Sequence, residues 1–377
     1  MLYLKIFVVF FTAAYVFLLL YYISSWLKEK IYSPSQKEFS TFASILIPAR
    51  NEEHNIENIL TDIFRQNFPA NLYEVIVVDD NSEDNTKLKT ENLIRNQVGN
   101  KIPNLKFLES IAQGKKNAIL TGINRAKGEL IITTDADCRM GKNWLSTIVS
   151  FYEKYKPEMI IAPVCFHNEK NLFGKMQSLE FISLLGITAG SALANNPLMC
   201  NGANLAYKKK SFFSVNGFDG NEKTPSGDDV LLMLKLKKKY PGKIKYLKSR
   251  EGIVFTEPQQ NFSGFINQRL RWVSKSSFYS DFSLNAVSWF VLLFNLSILI
   301  FGALSFFKKG FAEIFLVSFL AKIFIDFLFL LLTASFFRRK SLLWLYFPLQ
   351  IIYVFYVPLI AVAGLKKSFV WKGRGYE

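Results

Sequence analysis

The chain has 377 residues, half of them hydrophobic and 16% aromatic, with 46 Lys and Arg against 30 Asp and Glu and a formal net charge of +16. That length holds one sizeable catalytic domain plus additional elements, and so much apolar and aromatic content argues against a purely soluble enzyme. The basic excess admits nucleic-acid binding, but no nucleic-acid motif accompanies it, and a domain held against anionic lipid accounts for the same charge.

Ile6 to Trp26 carries no charge. As a helix at ~1.5 Å per residue it covers roughly 30 Å, the thickness of a bilayer's hydrocarbon core. Tyr21, Tyr22 and Trp26 suit an interfacial belt, with Lys28 and Lys30 as basic flank. No small-residue cleavage site is evident, so residues 1–30 read as an uncleaved membrane anchor.

A more polar body follows, over residues 31–280. Ser44 to Pro48 is a short buried strand, and Arg50, Asn51 and Glu52 stand at its end. Ile56, Ile59, Leu60 and Ile63 have helical spacing. Tyr73 to Val78 is a second strand, closing in Asp79 and Asp80. Ser82 to Asn96 predicts a helix and Leu105 to Leu108 a strand. Gly114-Lys115-Lys116 opens a helix that runs to about Ala126. Glu129 to Thr134 is a further buried strand, ending in Asp135-Ala136-Asp137. Strand and helix alternate, which predicts a mostly parallel α/β sheet. The C-terminal strand tips of such a sheet form its ligand crevice, so three consecutive units aim acidic groups and Arg50 at one place. Hard oxygen ligands such as Asp135 and Asp137 suit Mg²⁺ or Mn²⁺. A dinucleotide-binding Gly-x-Gly-x-x-Gly is absent after the first strand, and so is a Walker A sequence.

Leu172 to Ala194 is apolar with few charges and reads as an interfacial helix beside the bilayer or as a core helix. Asn195 to Asn204, small and amide-rich, could line an acceptor pocket. Gly227-Asp228-Asp229 precedes a helical run. The lysines at 235, 237, 238, 239, 243, 245 and 248 read as a solvated face. Gln268 and Arg271 lie three apart on one helix side, followed by Trp272. Phe282–Phe307, Ile314–Phe337 and Ser341–Leu365 are each long enough to span, and residues 281–377 read as membrane segments with a short basic tail. Three full spans would place Lys366 and Lys367 outside, against the positive-inside rule. Pro348 and Pro358 could bend the last segment and return the tail to the cytoplasm. Lys322 and Asp326, four apart, can pair on one helix face. The three cysteines (Cys138, Cys165 and Cys200) are odd in number and lack metal spacing, as expected of reduced thiols. His54 and His167 are too few for a His-based metal site.

Ile47-Pro-Ala-Arg-Asn-Glu52, Val77-Val-Asp-Asp-Asn-Ser82, Gly114-Lys-Lys-Asn-Ala118, Thr134-Asp-Ala-Asp137, Gly227-Asp-Asp229 and Gln268-Arg-Leu-Arg-Trp272 occur in that order. This set resembles the membrane-embedded family 2 glycosyltransferases of GT-A fold, the branch of ceramide glucosyltransferase and the polysaccharide synthases. The resemblance covers roughly residues 42–275. It implies a Rossmann-like GT-A domain between N- and C-terminal transmembrane helices. It implies a nucleoside diphosphate sugar, such as a UDP-sugar, bound by Pro48, Arg50, Glu52, Asp79, Asp80, Lys115, Lys116 and Asp135. A Mg²⁺ or Mn²⁺ ion on Asp137, with Asp135 beside it, would act as a Lewis acid. Asp229 would be the general base of an inverting displacement, with Asp228 beside it or capping the helix. Gln268, Arg271 and Trp272 would border acceptor and diphosphate. Arg269 stands where the family more often has Gln, a departure expected to cost nothing.

The implied activity is transfer of a sugar to a lipid-linked acceptor at the cytoplasmic face of an inner or plasma membrane, without nucleic-acid partners. A processive polysaccharide synthase that exports its product is the alternative, and a transporter or inactive scaffold comes from another class. A degenerate scaffold would be expected to lose some of Asp80, Asp137, Asp229 and Trp272, and all four are present. A nucleotidyltransferase would not need Gln-x-x-Arg-Trp.

Overall fold

The computed structural model describes residues 2–34, 38–95, 104–220, 227–275, 278–364, 369–371 and 374–376. In chain order its elements begin with α1 (Leu2–Lys28), β1 (Ala43–Ala49), α2 (Ile56–Phe64), β2 (Tyr73–Asp79), α3 (Thr86–Arg95), β3 (Asn104–Glu109), α4 (Lys115–Arg125), β4 (Leu130–Thr133) and β5 (Arg139–Met140). Next come α5 (Trp144–Tyr155), β6 (Met159–Ile161), β7 (Val164–Phe166), α6 (Leu172–Leu193), β8 (Leu205–Lys208) and α7 (Lys209–Ser214). The chain then forms α8 (Asp228–Lys239), β9 (Ile244–Tyr246), β10 (Val254–Thr256), α9 (Phe262–Val273), α10 (Phe282–Leu304), α11 (Lys309–Phe336) and α12 (Tyr346–Ala363).

Lys30–Asn168 and Pro197–Glu257 make one compact unit. Its seven-stranded sheet has the order β3-β2-β1-β4-β8-β6-β9. The first four strands run parallel, and β8 pairs antiparallel with β4 and β6. The expected mostly parallel sheet is therefore present, with one reversed strand inside it. β1 and β2 are near-continuous apolar runs because both faces of a parallel sheet are covered. Ile56, Ile59, Leu60 and Ile63 bury the apolar stripe of α2. A second sheet of three short strands has the order β5-β10-β7.

A polar network ties the opposite end of the sheet from the strand tips. Glu74 in β2 is fully buried. It accepts from Ser44 Oγ at 2.7 Å, Lys106 Nζ at 2.7 Å and the Lys127 amide at 2.5 Å. Ser44 in turn accepts from the Gly128 amide at 2.8 Å. A Cβ at Gly128 would stand 2.6 Å from the Ser44 nitrogen, so glycine is required by the close approach of the two backbones.

Met1–Glu29, Glu169–Asn196 and Pro258–Glu377 make the other unit. The helices α6 and α9, expected with the α/β body, thus group with the apolar helices. Among the described residues, five helices are long and apolar enough to cross a membrane by length and composition: Lys5–Lys28, Leu172–Leu193, Phe282–Leu304, Lys309–Phe336 and Lys340–Ala363. The second of these, α6, differs from the rest. It is largely buried, against α1 and α11. The strands before and after it, β6 and β8, pair directly, Ile161 with Leu205.

Small residues let α6 approach its neighbours. A Cβ at Gly190 would lie 2.7 Å from Tyr22 Cβ, and one at Gly186 would lie 2.8 Å from Thr333 Cγ2. The expected Lys322–Asp326 pair forms at 2.5 Å. Gln350 accepts from Lys322 at 2.9 Å, and Tyr15 donates to Asp326 at 2.7 Å. Burial of a charge at mid-membrane costs about 2.5–3.5 kcal/mol on insertion scales, and here each charge has its partner. Pro358 lies inside α12, which continues to Ala363. Lys366 and Lys367 of the basic tail lie outside the described residues.

Candidate active site

The strand order of the α/β unit reverses at β1, which has β2 on one side and β4 on the other. Ligands of open α/β sheets bind at such a switch point. β1 and β2 end level, Ala49 opposite Asp79, and β4 ends with Thr133 opposite Leu46. Two asparagines turn the chain out of the first two tips, Asn51 at φ 52° and Asn81 at φ 55°, a backbone conformation that Asn tolerates better than most residues.

These turns are held to one another by side chains at the tips. Arg50 Nη1 donates to the carbonyls of Asp80 and Asn81, both at 2.9 Å, and Nη2 reaches Glu83 at 3.3 Å. The Asp79 carboxylate receives the Ser82 amide at 3.0 Å and the Ser82 hydroxyl at 2.5 Å. Arg50 and Asp79, read from the sequence as donor contacts, thus shape the loops. Pro48 lies within β1, opposite Val78. Glu52 is buried, accepts from Asn55 Nδ2 at 2.8 Å and takes Thr86 Oγ1 as acceptor for its own amide at 2.8 Å.

Asp80, 2% exposed, accepts from the Gly114 amide at 2.8 Å. Gly114 has φ +106° and open space where a Cβ would project, and no side chain caps α4 there. The backbone N–H groups at the start of α4, with Lys115 and Lys116, suit a phosphate.

Lys115 Nζ pairs with Asp135 Oδ1 at 2.5 Å. A Cβ at Gly202 would stand 3.5 Å from both Lys115 Nζ and Asp229 Oδ2. The start of α4 after β3, the tip of β4 and α8 therefore bring Lys115, Asp135 and Asp229 together. Burial disfavours the Lys115 ammonium, but Asp135, Asp228 and Asp229 outweigh it and raise its pKa, so the lysine stays charged. Asp229 is fixed by two amides, Gly202 N–H to Oδ2 at 3.0 Å and Val230 N–H to Oδ1 at 2.8 Å. Asp228 is buried beside it in the first turn of α8, behind Gly227 at φ +93°.

Asp137 is exposed, and Thr256 Oγ1 donates to it at 3.3 Å. Among the described residues no group of three His, Cys, Asp or Glu side chains could hold a metal ion. The donor set is instead an exposed carboxylate with a second one two residues before it. That set fits a hard cation whose remaining ligands are phosphate and water oxygens. Cys138 is buried, and burial together with Asp137 and Asp135 pushes its thiol well up; it is a packing residue.

Sequence reasoning missed the roles of two contributors. Gly202 supplies the amide that orients Asp229, and Thr256 supports Asp137; neither has a local signature, since each reaches the site through the sheet. Asn204 was expected in a pocket wall, yet it is fully buried. It accepts from Trp144 Nε1 at 3.0 Å and donates to the carbonyls of Pro163 at 2.7 Å and Gly252 at 2.8 Å. The lysine cluster is also only partly a solvated face. Lys248 is buried, and Lys235 donates to the carbonyls of Gly217 at 2.9 Å and Asp219 at 2.6 Å.

Gln268, Arg271 and Trp272 lie on α9, in the unit of apolar helices. Arg269 between them is 3% exposed. It donates to Glu180 Oε1 from Nε at 3.0 Å and pairs with Glu180 Oε2 through Nη2. Arg269, which stands where the family more often has Gln, is a buried charge with a dedicated partner.

A mostly parallel sheet with acidic strand tips and one reversed strand is the architecture of the GT-A fold. The model of glycosyl transferase family 2 matches residues 44–213, and that of glycosyl transferase family group 2 matches residues 130–359. The chain belongs to the family 2 glycosyltransferases. It is similar to glycosyltransferase AglE of Haloferax volcanii, 37% identical over 29% of this chain and 34% of the relative. It is 24% identical to poly-beta-1,6-N-acetyl-D-glucosamine synthase of Staphylococcus epidermidis over 67% of this chain and 60% of the relative. Beta-monoglucosyldiacylglycerol synthase of Trichormus variabilis is 29% identical over 38% of this chain and 30% of the relative. The chain thus spans between about a third and three-fifths of these relatives' length. Among solved structures, a mannosyltransferase from Pyrobaculum calidifontis, in complex with GDP-Man and Mn²⁺, shares the fold. Its TM-score is 0.59 at 18% identity, over 97% of this chain and 98% of that one.

Proposed function

We propose that this protein is an inverting glycosyltransferase that moves a sugar from a nucleoside diphosphate sugar to a lipid-linked acceptor at a membrane face. The convergence of Lys115, Asp135 and Asp229 is the observation that carries the reading. An anion-binding cation and a fixed carboxylate then face one volume, as a displacement with a phosphate leaving group requires. Glu52 and Asp80 accept from the base and ribose. Lys115 and Lys116, at the start of α4, hold the diphosphate. Asp229 removes the proton from the acceptor hydroxyl while that oxygen attacks the anomeric carbon, and the configuration inverts in this single displacement. General-base help of this kind is worth about 10²–10⁴-fold. Asp137, with Asp135, would hold Mg²⁺ or Mn²⁺, which when bound supplies Lewis-acid stabilisation of the leaving diphosphate. Arg271 offers a planar fork for phosphate, and Trp272 offers a flat face for a sugar ring.

The similarity to a glucosyldiacylglycerol synthase and the apolar helices support a lipid acceptor. The basic excess supports a cytoplasmic site at an inner or plasma membrane. A processive synthase is the second reading, favoured by the similarity to a poly-N-acetylglucosamine synthase over 67% of the chain. Purified protein incubated with a panel of UDP- and GDP-sugars and a membrane lipid extract, with products read by mass, separates them. Lipids heavier by one or a few sugars support the first reading. A ladder of polymer lengths replaces it with the second, and free sugar alone contradicts both.

A further inference from the structure

Every polar atom of Arg269 described above lies inside the unit of apolar helices. Arg269 presents its fork to both oxygens of Glu180 on α6. Tyr356 on α12 donates to the same Glu180 at 3.1 Å, so three helices share one carboxylate. Arg269 Nη1 donates to the Gln268 side-chain oxygen at 2.5 Å. The guanidinium carbon lies 4.3 Å from the centroid of the Trp272 ring and 4.4 Å from that of Phe265. Phe181, next to Glu180, lies beside Trp272 with centroids 6.1 Å apart.

One side chain therefore touches two of the three α9 side chains, Gln268, Arg271 and Trp272, that the reading above assigns to the substrates. A bidentate arginine–carboxylate pair fixes direction as well as distance. With the pair formed, the Gln268 oxygen is taken and its amide N–H groups are the part offered elsewhere. One face of Trp272 is covered by the guanidinium, which determines which face a sugar can meet.

We propose that Arg269, clamped by Glu180 and Tyr356, is a positioning residue that sets the orientation of Gln268 and Trp272 for acceptor transfer. The proposal rests on the reading of Trp272 as an acceptor-side residue. Lysine keeps the charge but has neither the fork nor the flat stack, so Arg269→Lys tests orientation rather than charge. Glu180→Gln combined with Arg269→Gln removes both charges together, leaving neither buried alone.

The first measurement needs no substrate. The full-length protein is labelled with 5-fluorotryptophan in detergent, and the Trp272 resonance is assigned by its loss in Trp272→Phe. Arg269→Lys and the double variant should shift or split that resonance while leaving that of Trp144, in the α/β unit, in place. An unmoved Trp272 signal overturns the clamp. The second measurement is turnover with whichever UDP- or GDP-sugar of the panel the wild type uses. Arg269→Lys should lower kcat by on the order of 10²-fold, the cost of an ångström-scale misplacement, with the donor KM unchanged. If Trp272→Ala is fully active, the acceptor-side reading fails. If Trp272→Ala is inactive and Arg269→Lys is normal, the clamp fails while the reading stands.

Discussion

Asp229 and Asp137 are both acidic residues at loop–element junctions, yet their surroundings give them different work. Two backbone amides hold Asp229 in one rotamer, and a carboxylate has about four acceptor sites. Asp229→Asn keeps the size of the side chain and removes the proton acceptor, losing one of these two bonds because an NH₂ cannot accept from an amide N–H. We expect transfer to fall by about 10²–10⁴-fold while binding of the donor nucleotide, measured by calorimetry, stays close to wild type. Asp137 is exposed, and Thr256 Oγ1 donates to it at 3.3 Å. Asp137→Ala should leave the fold intact and abolish the difference in UDP-sugar or GDP-sugar affinity with and without Mn²⁺. An Mn²⁺ effect of wild-type size in the variant would remove Asp137 from the metal site.

Among the elements, β2 carries chemistry at both ends. Its tip was legible because Asp79 and Asp80 follow a run of apolar residues, and its N-terminal end was not. Glu74 is a lone charge at the start of an apolar run, and its partners Ser44, Lys106 and Lys127 are brought to it only by strand order. Burial opposes the Glu74 carboxylate, but Lys106, the Lys127 amide and Ser44 prevail and hold its pKa below the ordinary 4.5. A carboxyl depressed in the folded state stabilises fully above its unfolded pKa and loses that contribution as pH falls through the folded value. Thermal melts should therefore steepen in pH dependence below about pH 4.3, the unfolded carboxyl range, and Glu74→Gln should flatten that part of the curve. Gly128→Ala should cost about 1–3 kcal/mol, as overpacking does, read as a lower denaturation midpoint.

The same contrast holds for the helices. The spacing of Ile56, Ile59, Leu60 and Ile63 made α2 legible, whereas α6 is apolar with no clear polar side. Its sequence therefore did not say which helices it packs against, α1 and α11. The strand-tip acids were legible because a sheet collects its tips at one edge. Gly202, Thr256, Glu180 and Arg269 were not, because each acts through a partner more than 25 residues away in sequence.

For the whole molecule, the chain enters the α/β unit, leaves it for α6, returns, and leaves again at Pro258. The α/β unit is thus interrupted in sequence by an apolar helix. The Lys322–Asp326–Gln350 cluster, with Tyr15, joins α1, α11 and α12. Removing one partner leaves the other charge buried, at a cost of about 3–5 kcal/mol. Lys322→Met should thus lower the melting temperature of the detergent-solubilised protein, and Lys322→Met with Asp326→Leu should recover most of it. Equal melting of wild type and the single variant would make the cluster incidental.

The central claim is transfer with inversion to a lipid acceptor, with Asp229 as base. Its most direct test is the anomeric configuration of the glycolipid formed from an α-linked nucleotide sugar, read by NMR for wild type and Asp229→Asn side by side. The account predicts a β-linked product from the wild type and none from the variant. An α-linked product, or equal product from Asp229→Asn, would contradict it.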